Sequence, residues 1–410
     1  TEIYTLSLHD ALPILAKTEE KIPVPEKDKE ASPPVGPVEK ERKSIPEQKP
    51  EMTDKVPHEV TGPLMLKKGE YEVNEVIKIE PSGTLILVPG TKLTFFECGI
   101  VCRGTLQAEG TKEEPIHFSG PDGWDNVTII GEKARASLKH CHISDCLGID
   151  ITLEKNTRCV LKKSGLTVGA VLFANQCQGT MTHCRIFNNH PKASVALIGA
   201  EKVEISHNEI YDNKEDGLLC NEGTPQIIEN RIYKNRTYGI ICTGLARPVI
   251  RKNTIKENGA IGISLRDAAA PVIEGNTIES NTFAMEYLGL SHGNLKDNVI
   301  QSNQMLGIRC MGDTKPVMEN NQISSNGELA FFIYGNSSPS IKGCKISRHK
   351  KAGFMVIERC SPTIEGNEIS ETEVGIVISS EAKPTIKGNR FVQCGQETVV
   401  KEAGAFRTNK

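Results

Sequence analysis

PQIIENRIYKN (225–235), PVIRKNTIKEN (248–258) and PVIEGNTIESN (271–281) are one pattern written three times. It returns as PVMENNQISSN (316–326), PSIKGCKISRH (339–349), PTIEGNEISET (362–372) and PTIKGNRFVQC (384–394). Successive copies begin about 22 to 23 residues apart once a proline-less copy around Leu295, Asn298 and Ile300 is counted. In each copy an aliphatic residue stands three positions before an asparagine and another stands two after it. Ile227 and Ile232 flank Asn230 in this way, and Ile250 and Ile255 flank Asn253. A second asparagine follows (Asn213, Asn235, Asn258, Asn281, Asn303, Asn326), and then a glycine opens another apolar run (Gly217, Gly239, Gly262, Gly307, Gly353, Gly375).

Short strands separated by turns let each coil pair with the next at about 4.8 Å, so equivalent positions lie over one another and sequence columns become columns in space. Aliphatic columns then form a continuous core. Asn208, Asn230, Asn253, Asn276, Asn298, Asn321, Asn367 and Asn389 are predicted to form an amide ladder, with each Asn expected in the left-handed conformation of a sharp corner and Cys184 and Cys344 filling ladder slots. A leucine-rich horseshoe would need leucine at most aliphatic sites and a helix in each unit, and a propeller blade would need about 40 residues or more. The pattern therefore predicts an all-β, right-handed parallel β-helix, a solenoid. VIKIEPSGTLILVPGTKLTFF (76–96) alternates β-branched and polar residues between turns, which extends the domain back to 64–404.

Ahead of the repeats, residues 16–63 are dense in Pro, Glu and Lys and are expected to be a disordered linker, too polar to offset ordering entropy. Residues 1–15, TEIYTLSLHDALPIL, have none of the parts of a signal peptide; they resemble translated adapter sequence and are set aside as a non-native N-terminus. The net charge of −3 gives no field for a phosphate backbone, so nucleic acid is not an expected partner. No apolar run is long enough for a transmembrane segment. Thirteen cysteines, an odd number without close CxxC pairs, indicate neither a disulfide framework nor a zinc site. Cys220, Cys242 and Cys310 share a position that holds Leu265, Ile333 and Val356 in other coils, and are expected to be buried as small hydrophobes.

The N-x-I-x-x-N-x-x-x-G-I pattern followed by P-x-I resembles the right-handed β-helix repeat proteins of the pectin-lyase-like superfamily, in the branch that includes NosD-type periplasmic proteins and CASH domains. The stretch 89–120 is similar to the entry coils of bacterial surface β-helix proteins. The resemblance implies either an enzyme acting on polysaccharide or a non-catalytic module, and an extracytoplasmic setting, periplasmic or cell-surface. Polygalacturonase-like members carry N-T-D, D-D, G-H-G and R-I-K motifs. This chain has NTI at 253 and 276, no adjacent Asp pair and only Ser291-His292-Gly293 near the third. That departure speaks against glycoside hydrolysis, which uses two convergent carboxylates.

One set of columns carries chemistry-bearing side chains. The residue before the corner is His140, His183, His207 and then Glu229; the residue after it is Arg185, Glu209 and Arg231; and beyond the inward aliphatic come Phe187, Tyr211 and Tyr233. Alternation makes these outward-facing. Exposed aromatics flanked by Arg, Glu and His suit sugar binding, with ring faces on pyranose C–H surfaces and charged groups on hydroxyls or carboxylates. The same residues would also serve as ordinary strand surface with cross-strand ion pairs. His183, His207 and Glu229 run down a column rather than converging, so no metal site is expected, nor any cofactor. Asp212, Glu215 and Asp216, with Lys214, Lys234 and Arg236 one coil on, are the acids and bases a lyase alternative would draw on, placed here at solvated turns. The expected function is a non-catalytic module that binds glycan or serves as a rigid scaffold. The alternatives are a polysaccharide lyase, hydrolase or epimerase, or a NosD-like metal accessory protein.

Overall fold

A computed structural model describes residues 49–121, 123–148 and 169–401. Each full coil contributes one strand to each of three parallel sheets. Gln226–Ile228 lies in sheet A, Arg231–Tyr233 in sheet C and Tyr238–Thr243 in sheet B. The sheets hold 15, 14 and 15 strands, and every strand pairs with its equivalent one coil away. The chain is thus an all-β parallel β-helix, as its repeat dictates.

The register stacks like on like. Ile227 pairs with Ile250 and Ile250 with Ile273 in sheet A, and Ile232 pairs with Ile255 and Ile255 with Ile278 in sheet C. All are fully buried, so each coil adds two isoleucines to one core that neither sheet could bury alone. Cys220 lies over Cys242 in sheet B, and Cys310 lies between Tyr287 and Ile333. All three thiols are buried, and burial pushes the Cys242 thiol up to about 12. They serve as small hydrophobes.

The corner between sheets A and C differs from the expectation in one respect. The left-handed residue is the one before the asparagine: His207, Glu229, Lys252 and Asp297 have φ of 57°, 56°, 53° and 54°, and Gly275, Gly343, Gly366 and Gly388 take the same place in other coils. The asparagine itself is selected for its amide. Asn253 Oδ1 accepts from Asn230 N at 2.9 Å and Nδ2 at 3.0 Å, while its own Nδ2 donates to Asn276 Oδ1 at 3.0 Å and to the Ile227 carbonyl at 2.8 Å. The ladder runs from Asn208 through Asn230, Asn253, Asn276 and Asn298 to Asn321, and resumes from Asn367 to Asn389. Cys184 and Cys344 hold their slots, each donating its backbone N–H to the next asparagine. A second, parallel ladder joins Asn189, Asn213, Asn235, Asn258, Asn281, Asn303 and Asn326 at the corner between sheets C and B.

The recurring glycine has a steric cause where the strand of sheet B begins. A Cβ on Gly239 would lie 2.7 Å from the Gly262 carbonyl oxygen and 2.7 Å from Ile255 Cγ2. Only small side chains occur at this inner position, with Ala284 and Ala330 taking it in other coils.

One boundary departs from the sequence reading. Glu51–Thr53 already pairs with Pro63–Leu66, and Glu59–Val60 with the strand starting at Ile77, so the solenoid begins at 51 and not at 64. Those strands carry a single buried apolar residue, Val60, within a polar, Pro-rich window, which is why composition hides them. Residues 1–48 and 402–404 lie outside the described residues. The spacing from Arg135 to its partner Gln178 is one long coil, with 43 residues between Cys141 and Cys184 against 22 or 23 along the later ladder.

Candidate functional site

The corner between sheets A and C, together with the outer face of sheet C, brings the candidate residues together. Pairing places Arg185 beside Glu209 and Glu209 beside Arg231, with Phe187, Tyr211 and Tyr233 aligned two positions on. Inward neighbours Ile186, Ile210 and Ile232 anchor this face. Arg185 Nη2 donates to the Tyr211 hydroxyl at 2.8 Å, Arg185 Nε lies 3.3 Å from Glu209 Oε2, and Arg231 Nη1 donates to Glu209 Oε1 at 2.9 Å. Glu209 is thus held by two guanidinium groups. Each guanidinium also lies near a ring, Arg185 5.5 Å from the centroid of Tyr211 and Arg231 5.6 Å from that of Tyr233.

The rings use their faces on one another. Phe187 and Tyr211 centroids are 5.4 Å apart, and Tyr211 and Tyr233 are 5.0 Å apart with planes within 3°. Coil spacing matches ring-stacking distance, so a column of aromatics closes on itself. Tyr211 therefore offers its edge and hydroxyl to solvent, and the face-on sugar platform drawn from sequence is not open there. Burial, the largest cause for both, raises the Tyr211 and Tyr233 phenols above their ordinary range.

Alongside runs a histidine column. His140 and His183 rings are 5.0 Å apart, and His183 and His207 are 5.0 Å apart and parallel within 4°. His207 Nε2 is 2.8 Å from Glu229 Oε2, and Lys252 donates to the other oxygen at 3.4 Å. Two further histidines, His117 and His142, pair in the sheet C column that continues into Arg185, with rings edge to face at 4.8 Å. The sequence reading missed both. Their alternation with Ile116, Phe118, Cys141 and Ile143 was the available signal, masked by irregular coil lengths.

A second cluster, on the outer face of sheet B, was also missed. Glu286 is buried, accepts from Ser264 Oγ at 2.6 Å and is paired with Arg309 and, at 3.6 Å, with Arg266. Arg266 Nη2 donates to the Tyr238 hydroxyl at 2.6 Å. Ser264, Glu286 and Arg309 occupy an outward column that holds Leu219 and Ile241 before them and Phe332 and Met355 after. That break in an apolar column was the legible signal.

The turn acids divide. Asp212 is exposed, but Asp216 is buried at the start of the strand Asp216–Gly223, where Thr237 Oγ1 and, at 3.2 Å, Tyr238 N donate to its carboxylate. Burial raises its pKa. It is a structural acid in a strand, not a solvated turn tip. Lys234 lies 3.9 Å from Glu257, one coil on.

With this geometry in view, comparison with known proteins places the chain. The family described as the right handed beta helix region matches residues 169–304 and 286–409, well over half of the sequence. The chain belongs to the right-handed β-helix family. Protein bark beetle of Drosophila melanogaster is 39% identical over 83 residues, which is 20% of this chain and 2% of that protein. Among solved structures, the catalytic unit of a GH87 alpha-1,3-glucanase from Streptomyces thermodiastaticus strain HF3-3 superposes with a TM-score of 0.54 at 14% identity, covering 75% of this β-helix chain and 63% of that one. The periplasmic alginate epimerase AlgG gives 0.48 at 13% identity over 80% and 77%, and PfbA, a surface adhesin of Streptococcus pneumoniae, gives 0.40 at 13% over 83% and 84%. At 14% identity the likeness to the glucanase is one of fold. No helix among the described residues is long and apolar enough to cross a membrane.

Proposed function

We propose that this β-helix is a non-catalytic module that binds glycan along the sheet C stripe. The observation that carries the reading is the run Arg185, Glu209, Arg231 beside Phe187, Tyr211 and Tyr233, repeated at coil spacing and flanked by His183 and His207. Phenol hydroxyls, ring edges and guanidinium groups along one line match the alternating hydroxyl and C–H surface of an extended sugar chain. Such a glycan lies outside the cytoplasm, and the extracytoplasmic setting goes with this proposal.

The two buried carboxylates on sheet B support the non-catalytic side. Asp216 and Glu286 lie three coils apart through the strands beginning at Tyr238 and Ile261. At about 4.8 Å per coil, with a further offset of about 10 Å along the strand because Asp216 aligns with Phe283, their backbones are roughly 17 Å apart, beyond the ~5–9.5 Å between carboxyls that glycoside hydrolysis uses. Both are also engaged by neighbouring donors.

A glycan array tests the reading with Arg231→Ala and Tyr233→Ala, which lie on the exposed stripe. Retention by the wild type that falls about tenfold or more in either variant supports it. Unchanged retention removes the stripe from the function. Release of unsaturated products from polyuronates, or of reducing ends from neutral glucans, would replace it with the lyase or hydrolase alternative.

A further inference from the structure

Five of the ten histidines gather at the N-terminal end of the stripe, on four neighbouring coils: His117, His140, His142, His183 and His207. Their rings stand 4.8 to 5.0 Å apart, edge on between His117 and His142 and face to face between His183 and His207. The cations around them are Lys92 beside His117, Lys139 beside His140 and Arg185 beside His142. The carboxylates are nearly all engaged. Glu70 is held by Lys92 at 2.6 Å, Glu109 by Ser137 at 2.6 Å, Glu204 by Ser206 at 2.7 Å and Glu209 by Arg185 and Arg231. Glu229 alone faces a ring, that of His207, and it also takes Lys252.

A proton added to His117, His140, His142 or His183 therefore meets other rings and fixed cations in place of a free carboxylate. Burial and these positive neighbours hold the His142 imidazole down to about 4, and burial first, then Lys92 or the adjoining rings, lowers His117 and His183. Positive charge gathered on these neighbouring rings calls for an anion laid across them.

We propose that these five histidines, with Lys92 and Arg185, form an acid-switched seat for an anionic polysaccharide running along the coils. The proposal deepens the glycan reading of the stripe and rests on it. Binding and protonation are linked. The bound polyanion favours charged rings, and charged rings favour the polyanion by the same factor. The column repeats along the solenoid axis, which suits a chain with regularly spaced carboxylates better than a single small anion. The protein's net charge of −3 supplies no general attraction for polyanions, so retention would be local to this seat.

The test measures retention of the whole chain on immobilised polygalacturonate and on neutral dextran at about pH 7.5 and about pH 4.5, a window that reaches towards the depressed His142 ring while most uronate stays ionised. The expected result is polygalacturonate binding tighter at the lower pH by about tenfold or more, with dextran unaffected by pH. The double variant His140→Asn/His183→Asn, whose asparagines tolerate the left-handed corner, should lose that gain, so that its polygalacturonate retention no longer differs between the two pH values. Equal polygalacturonate retention at both pH values overturns the switch and leaves the glycan reading standing. Dextran gaining in acid as much as polygalacturonate overturns the anionic ligand. Absence of retention of either polymer at both pH values overturns the seat and the stripe together.

Discussion

Coils from Asn208 to Asn389 and coils before Cys184 are built on the same three sheets but to different tolerances. In the later set every ladder step is 22 or 23 residues and the corner amides bond coil to coil, interrupted only at Cys344. In the earlier set the step from Cys141 to Cys184 is 43 residues, Cys141 and Cys184 stand where asparagine would, and Trp124 fills core space with its indole bonded to the Ser144 carbonyl at 2.8 Å. His117, His140, His142 and His183 lie in the irregular set, and the stripe crosses from it through Arg185 and His207 into the regular one. An amide ladder fixes register independently of the outer face, so outward positions beyond it are free to vary. Where thiols take the ladder slots, the side-chain amide bonds from coil to coil are replaced by longer sulfur contacts, such as Cys141 N to Cys184 Sγ at 3.4 Å.

Substitution within each kind of ladder slot sharpens that contrast most. Asn253→Ala removes the one oxygen that accepts from both Asn230 N and Asn230 Nδ2, and the Nδ2 that donates to Asn276 and to the Ile227 carbonyl, all within a buried corner. With buried N–H and C=O groups losing partners, the expected loss is about 3–5 kcal/mol. Cys184→Ala deletes a thiol that accepts from Cys141 N at 3.4 Å and donates to Thr182 O at 3.3 Å, and should cost only about 1 kcal/mol. Urea unfolding, with hydrogen exchange at the Asn230 amide as a local readout, distinguishes the two. Equal costs would mean that the amides do no more than fill space.

The same contrast explains what could be read from sequence. The interval between Pro225, Pro248 and Pro271 fixes coil length, and coil length turns Ile227, Ile250 and Ile273 into a column without further information. Cys220 and Cys242 were legible as core because their column partners are aliphatic. The left-handed corner was assigned to the asparagine because Asn tolerates it, but a two-residue corner has room for one such φ, and the preceding Glu229 or Lys252 takes it so that the amide can turn inward. The Glu286 network was signalled only by a polar break in an apolar column, and the closed faces of Tyr211 required three-dimensional spacing. Pattern shows that aromatics share a column, and only stacking distance shows that they consume each other's faces.

Acid should loosen the irregular coils before the regular ones. The folded His142 imidazole titrates at about 4, below its ordinary 6.5, so on acidification the unfolded chain takes the proton first. The stability held by keeping this ring neutral is present above pH ~6.5, falls as pH drops towards ~4, and changes no further below that. The shift corresponds to about 3 kcal/mol at full burial, and partial exposure of the ring reduces it to about 1–2 kcal/mol. His142→Gln should flatten the pH dependence of the urea midpoint in that window. An unaltered slope would show that acid sensitivity originates elsewhere in the chain.

The smallest effect on stability belongs to the stripe itself, and that is what separates binding from bracing. Glu209→Gln breaks two ion pairs on a partly exposed strand face, Arg185 at 3.3 Å and Arg231 at 2.9 Å, and should move the unfolding midpoint by less than about 1 kcal/mol. The same change frees two guanidinium groups for an incoming carboxylate, so polygalacturonate retention at neutral pH should strengthen by about threefold. A large loss of stability with no change in retention would assign Glu209 to cross-strand bracing and leave the stripe without a ligand. A small loss with tighter retention would mean that Glu209 holds the two arginines in register and competes with the glycan for them.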